Sequence, residues 1–251
     1  MKIDERRRYI LDAVNQNKNV RISALSKKMA VSRETIRKDI YNLAEKGLVS
    51  AIRGGAEAVD DDPTSRFDQR KAVNQDAKRE MAQRALSYIK DGATIFLDSG
   101  TSSYELAEAL KQEPRHDLSI ITSSTFVAQT LLVMKGIQIV LLGGVVRGDE
   151  GSVSGPIALQ AIESIYADVG FFGCGGIDEV SGITNRYLEE SQTAKAMKQH
   201  CRTSIVLADH SKFGASSLVS MFKLDDVDFI ISDSGINKDL VQHIGVKNLV
   251  V

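Results

Sequence analysis

From residue 93 onward the chain repeats one pattern, in which short, almost uninterrupted apolar runs alternate with amphipathic stretches of helical period. The runs cover 94–97, 118–122, 137–142, 169–172, 204–208 and 229–232, with a weaker one at 246–250. A strand that is apolar on both sides of its pleat must be covered on both faces. Helices between successive strands supply that cover and return the chain for parallel pairing. The expected fold class is therefore α/β with a mostly parallel sheet. No run approaches the roughly 20 apolar residues of a membrane span, and the basic residues near Met1 lead into no signal-type segment. A soluble cytoplasmic protein with no membrane partner is expected.

The first 57 residues have a different character. They hold 13 Lys and Arg against 7 acids, a balance of +6; subtracted from the whole-chain 32 and 33, this leaves 19 bases and 26 acids beyond them, a balance of −7. A small cationic module joined to a larger acidic one suits a reader of nucleic acid with a separate sensing body. At 251 residues, 43% hydrophobic and 26% charged, the chain has apolar matter for two cores and is not globally disordered. The acidic, proline-containing stretch 60–65 has no apolar period. It divides the chain into a DNA-binding domain at 1–57, a linker at 58–73 and a sensing and oligomerisation domain at 74–251. Cys174 and Cys201 lack partners at ligand spacing, so neither a disulfide framework nor a metal site is expected, and nothing calls for a cofactor.

Within the cationic module, residues 4–17 read as a helix with Ile10, Ala13 and Val14 on one side; Ile22, Leu25 and Met29 mark a second. Ser32 stands as the N-cap of a third, in which Ile36, Ile40 and Leu43 form the apolar stripe and which is expected to end at Gly47. A short hairpin around Gly54-Gly55 follows. Arg33, Thr35, Arg37, Lys38 and Tyr41 lie off the stripe of the third helix, free to enter a major groove. Ser32 at the helix start and Arg53 at the hairpin tip are placed to meet the backbone or the minor groove.

In the acidic body the polar motifs fall directly after the apolar runs. Asp98-Ser99-Gly100-Thr101-Ser102 enters a helix, with Ser102 and Glu105 at capping-box spacing, and such a loop presents N–H groups and hydroxyls suited to a phosphate dianion. Thr122-Ser123, Gly143-Gly144, Gly175 in a glycine-rich turn, and Asp209 with Lys212 follow later runs. Open parallel sheets bind ligands at the carboxyl ends of their strands. Asp98 and Asp209 suit sugar hydroxyls, while Lys212 and Arg147 suit negative charge.

Two sets of residues carry a resemblance. Ser32-Arg33-Glu34-Thr35-Ile36-Arg37-Lys38-Asp39-Ile40, with Leu43, Gly47 and Arg53-Gly54-Gly55-Ala56, resembles the winged helix-turn-helix of the DeoR family of bacterial sugar-metabolism repressors. Lys38 and Ile40 stand where that family usually has Arg and Leu, so at 38 the charge is kept and the planar fork lost. Asp-Ser-Gly-Thr-Ser at 98–102, Leu-Gly-Gly at 142–144, Gly-Cys-Gly-Gly-Ile-Asp at 173–178 and Ala-Asp-His-Ser-Lys-Phe-Gly at 208–214 resemble the effector domain of the same family.

The resemblance implies a body similar in fold to ribose-5-phosphate isomerase, a phosphorylated sugar as effector, and Glu189 as a further ligand-holding residue. It implies a repressor of a carbohydrate-use operon, acting on double-stranded operator DNA as a homodimer or homotetramer. The alternative is a sugar-phosphate isomerase with an accessory DNA-binding module, in which Asp98, Glu189, Asp209 and Lys212 would supply acid–base groups. Likeness of fold does not transmit activity, and the expectation is a non-enzyme.

Overall fold

The computed structural model describes residues 3–17, 19–45, 49–52, 54–57 and 67–251. The chain divides into two compact units, Met1–Thr64 and Ser65–Val251. In the first, α1 (Ile3–Asn17) leads through β1 (Asn19–Arg21) into α2 (Ile22–Met29) and α3 (Arg33–Glu45), followed by β2 (Ser50–Ile52) and β3 (Gly55–Glu57). Ile10 and Val14 of α1, Ile22 and Leu25 of α2, and Ile36, Ile40 and Leu43 of α3 bury their side chains together with Val49 and Ala56. The apolar stripes read from the sequence thus form one core.

The turn between α2 and α3 is held locally. Ala30 takes the left-handed conformation (φ 53°, ψ 40°), which costs a non-glycine about 1 kcal/mol, and its N–H donates to the Ser26 carbonyl. The Ser26 hydroxyl in turn donates to the Val31 carbonyl at 2.7 Å. The Ser32 side chain then caps α3, accepting from the Thr35 N–H at 3.1 Å. Gly47 and Arg53, assigned to the helix end and hairpin tip, lie outside the described residues. The expected two-stranded hairpin gains a third strand, since β3 lies between β1 and β2, antiparallel to both. This sandwiching explains Gly55, where a Cβ would stand 2.1 Å from the Val20 carbonyl oxygen.

The second unit begins earlier than its polar sequence suggests. Residues 67–73, assigned to the linker, contain α4 (Phe67–Ala72), anchored by Phe67, whose ring is buried 4.2 Å from that of Phe126 and 5.6 Å from that of Tyr104. One aromatic in a polar stretch has no periodicity to reveal it. Asn74, in the left-handed region (φ 51°), separates α4 from α5 (Gln75–Leu86). There follow β4 (Thr94–Leu97), α6 (Thr101–Gln112), β5 (Ser119–Thr122), α7 (Thr125–Leu131), β6 (Gln138–Leu141), β7 (Val145–Arg147), β8 (Ser152–Ser154), α8 (Pro156–Ile162) and β9 (Ala167–Gly173). The chain continues through β10 (Gly176–Asp178), β11 (Gly182–Asn185), α9 (Leu188–Gln199), β12 (Cys201–Leu207), β13 (Val219–Phe222), β14 (Phe229–Ile231), α10 (Lys238–Ile244) and β15 (Leu249–Val250).

Seven of these strands, in the order β15-β14-β12-β9-β4-β5-β6, make a wholly parallel sheet, and each matches one of the apolar runs. Alternation along the strands sends Ile95, Leu97, Ile120 and Phe171 to one face, against Met81, Leu106, Leu110 and Val127. Phe96, Ile121, Phe172 and Val206 go to the other, against Ile162, Ala194, Met197 and Val241. Two further pieces were not legible: the antiparallel sheet β10-β11-β13 and the pair β7-β8. Strands such as Ser152–Ser154, Gly176–Asp178 and Gly182–Asn185 mix glycine and polar residues with single apolar ones and so show no continuous apolar run. No helix among the described residues is long and apolar enough to cross a membrane.

Candidate DNA-reading and effector sites

On α3 the buried stripe leaves Arg33, Arg37 and Tyr41, spaced by four residues, on the outward side with Lys38 beside them, all exposed; Thr35 is half-buried. Arg37 Nη1 lies 2.6 Å from Glu34 Oε2 in an exposed i, i+3 pair. Such a pair is worth a few tenths of a kcal/mol and is readily exchanged for a stronger partner. Arg33 and Lys38 meet no carboxylate among the described residues. Arg37, Tyr41, Ile52 and Gly54 line a groove of about 380 Å³ between α3 and the hairpin.

What keeps these donors outward is a residue that sequence reasoning quoted only as part of the motif. Asp39, 3% exposed on the inner side of α3, accepts from Arg6 Nε at 2.5 Å and Arg7 Nε at 3.0 Å, both on α1. Two guanidiniums on one buried carboxylate lock the rotation of α3 against α1. The signal in the sequence was an acid on an otherwise apolar helix face, with an arginine pair awaiting a partner.

In the second unit, parallel strands bring the polar motifs to one sheet edge. Asp98 follows β4 and is 2% exposed. The Gly173 N–H donates to its Oδ2 at 3.4 Å and the Ser123 hydroxyl to its Oδ1 at 3.5 Å. Burial, helped by the negative charge of Glu190 and opposed by these donors and the Ser99 N–H, pushes its carboxyl up to about 7. Gly100, at φ 124°, occupies the cap position of α6, with Thr101 as the first helical residue, buried, and Ser102 half-buried. The capping box expected from Ser102 and Glu105 does not form, because the helix begins a residue before Ser102; Glu105 instead accepts from Gln75 Nε2 at 3.3 Å.

Thr122 and Ser123 are buried at the end of β5, where Thr122 Oγ1 accepts from the Ser124 N–H. Gly143 and Gly144 follow β6, and Gly175 follows β9. Close approach accounts for two of these glycines: a Cβ on Gly144 would stand 2.4 Å from the Ser154 carbonyl oxygen, and one on Gly175 2.4 Å from Ser217 Oγ. Asp209, buried after β12, accepts from Asn74 Nδ2 at 3.0 Å and from the Ser211 hydroxyl at 2.5 Å. Lys212 is half-buried beside it. Burial pushes the Cys174 thiol up to about 12, on the side of the protonated form at neutral pH.

Arg147 stacks over the Tyr187 ring at 3.9 Å and lies 3.4 Å from Glu190 and 3.7 Å from Glu189. The helix turns Glu190, not Glu189, inward. Glu190 is buried and accepts from the Ser152 hydroxyl at 2.6 Å, whereas Glu189 is more than half exposed. The spacing of Glu190 with Thr193, Ala194 and Met197 on one face was the sequence signal for this. Sequence reasoning also missed Arg70, Asn74, Lys78, Glu150 and Ser152, because they come from segments without strand-end motifs. Burial lowers the Lys78 ammonium to about 8, its Nζ donating to the Val73 carbonyl at 2.6 Å and to that of Arg70. No group of three potential ligands among the described residues would hold a metal ion.

Residues 6–62 match the family model of the DeoR-like helix-turn-helix domain, and residues 73–234 that of the DeoR C terminal sensor domain. The glycerol-3-phosphate regulon repressor of Escherichia coli (strain K12) is 32% identical over 93% of this chain and 92% of its own length. The L-fucose operon activator of Haemophilus influenzae is 29% identical over 93% of each. Among solved structures, ribose 5-phosphate isomerase A of Methanocaldococcus jannaschii overlaps 56% of this chain and 55% of its own at 19% identity and a TM-score of 0.41, a likeness that carries no argument about activity. The curated relatives are regulators of transcription, not enzymes. The sensor-domain match spans more than half of the chain and the helix-turn-helix match covers the cationic unit: the chain belongs to the DeoR family of DNA-binding transcriptional regulators.

Proposed function

We propose that this regulator represses a carbohydrate-use operon and is retuned by a phosphorylated sugar bound at the carboxyl edge of the parallel sheet. The observation that carries the DNA half is the row Arg33, Arg37 and Tyr41 with Lys38, held outward by the buried clamp on Asp39. Lys and Arg at phosphates supply most of the affinity; Arg37 and Thr35 read base edges, and Ser32, Lys38, Tyr41 and Arg53 set the register. The effector half rests on convergence. Gly100, Thr101 and Ser102 offer amides and hydroxyls to a phosphate, with Lys212 as counter-charge, while Asp98, Thr122, Ser123, Arg147, Asp209 and the glycine turns at 143–144 and 175 surround the polyol and Glu189 stands at the exposed rim beside Arg147. Several relatives bear names that point to sugars or polyol phosphates, which supports this class of ligand.

The test is a titration of labelled upstream DNA with the full chain, with and without glycerol 3-phosphate and a panel of pentose and hexose phosphates. Arg37→Ala is expected to reduce the preference for operator over random duplex by about 1–3 kcal/mol. An equal loss on both duplexes would make Arg37 a phosphate contact. A panel in which no compound alters DNA affinity or thermal stability would remove the effector half.

One helix-turn-helix covers little DNA, and we propose that two copies act together through the edge strand β6. Residues 136–146 contain no charge, and Leu141 at the end of β6, Val145 (69% exposed) and Val146 on β7, and Ile157 on α8 next to Gly143 stand in solvent. An unprotected edge strand is an aggregation hazard that proteins blunt with charge or cover. In a twofold contact every group meets its own copy, so a charge-free patch tolerates self-pairing where a charged one repels. Val145→Lys with Val146→Lys is expected to give monomers in sedimentation and to weaken operator binding by about tenfold or more. Dimers of unchanged stability would place the interface elsewhere.

A further inference from the structure

The helix that follows the interdomain segment carries the site's least explained charge. Arg70 of α4, within the second unit, pairs through Nη2 with Oε2 of Glu150, a carboxylate 1% exposed. Each partner keeps one buried atom unused: Arg70 Nε and Glu150 Oε1 have no hydrogen-bond partner among the described residues. A buried donor and a buried acceptor left unmatched destabilise the fold, and a ligand group that satisfies both removes that cost. The charge of Glu190 acts on both Arg70 and Asp98, and Glu190 takes a hydrogen bond from Ser152, which forms a β-bridge with Ser124 beside Thr122 and Ser123. The unmatched pair therefore borders the strand-end cluster assigned to the effector.

The unmatched Glu150 Oε1 is an acceptor, and a phosphate oxygen brought against it would meet it acceptor to acceptor. A hydroxyl fits it, because one oxygen accepts from Arg70 Nε–H while its proton goes to Glu150 Oε1. We propose that Arg70 and Glu150 read a hydroxyl of the phosphorylated polyol, and that α4 is thereby a wall of the effector site. This rests on the effector reading above and adds how occupancy reaches the chain leading to the DNA-binding unit.

The helix is tied to the site's loops at both ends. At its start the Phe67 N–H donates to the Asp149 carbonyl at 3.2 Å, next to Glu150, and Lys71 Nζ lies 2.8 Å from the Tyr104 hydroxyl on α6. At its end the carbonyls of Arg70 and Val73 accept from the buried Lys78, and Asn74 donates to Asp209. An effector hydroxyl that meets Arg70 Nε and Glu150 Oε1 thus adds one more tie between the site and the first helix after the interdomain segment.

The experiment uses the full chain, with calorimetry of the sugar-phosphate panel and of inorganic phosphate, and amide hydrogen exchange over residues 67–78. Arg70→Met combined with Glu150→Gln removes the ion pair without leaving a buried charge. It is expected to keep inorganic phosphate binding, to lose about 10- to 100-fold in affinity for the sugar phosphate that wild type prefers, and to lose DNA release by that compound. In wild type the same compound slows exchange over 67–78, whereas inorganic phosphate does not. If wild type binds no member of the panel, the effector reading itself fails and this inference with it. If wild type binds and the double variant binds and releases DNA equally well, this inference alone is overturned. Should the variant not fold, exchange in wild type decides: protection of 98–104 on binding with no change over 67–78 overturns the role of α4.

Discussion

Asp39→Ala is expected to unfold the amino-terminal unit while leaving the sensor unit intact. The carboxylate is almost wholly buried between Arg6 and Arg7, and Arg6 is buried as well. Removing it leaves a cationic side chain in the core without a partner, which typically costs about 3–5 kcal/mol. A unit of some sixty residues has about that much stability to lose. The apolar core of Ile10, Val14, Ile36 and Ile40 is untouched by the change, so the effect reports the clamp and not a cavity. In hydrogen exchange of the full chain, α1 and α3 should lose protection while β4, β9 and β12 keep theirs, and operator binding should vanish. Retained protection of α3 with normal DNA binding would show that the two arginines only decorate its surface.

Asp98→Asn should gain stability over wild type by about 3 kcal/mol between pH 5 and pH 8. The Asp98 carboxyl, ordinarily ionising near 3.8, is pushed up to about 7 by burial. Between those values the folded protein holds a proton that the unfolded chain has released, so wild-type stability falls as pH rises through this range and levels off above 7. Asparagine does not titrate. About two units of the window lie above pH 5, and each is worth about 1.4 kcal/mol, which sets the size of the divergence. The absolute offset is smaller, since asparagine turns an NH₂ toward a donor such as the Gly173 or Ser99 N–H that the carboxylate accepted. Lys78, lowered to about 8, and Glu190, raised by burial, titrate in both proteins and largely cancel in the comparison. Thermal unfolding of both proteins across pH 5–8 checks this; parallel curves would mean that Asp98 ionises normally. The added stability should come with weaker effector binding, as expected where a strained group serves a ligand.

Much of the architecture was present in the linear pattern. Seven apolar runs became the seven strands of one parallel sheet, and the stripes Ile10/Val14, Ile22/Leu25 and Ile36/Ile40/Leu43 became one small core, because burial on a helix face or in a doubly covered sheet demands a period that local sequence displays. Ser32, Gly54 and Gly55 announced their turns for the same local reason. The strand-end motifs with Asp98, Thr122, Ser123 and Asp209 were also readable, since parallel connectivity brings every such end to one edge.

The groups that complete each site were decided by the tertiary structure. Asp39 met Arg6 and Arg7 across more than thirty residues, Arg70 met Glu150 across eighty, and Asn74 met Asp209 across 135. A charge is buried at bearable cost where an opposite charge or a hydrogen-bonding group meets it, and for these pairs the meeting depends on how distant elements pack, which no window of neighbouring residues contains. Period and turn chemistry are local and belong to the sequence; the pairing of buried charge is a property of the assembled fold.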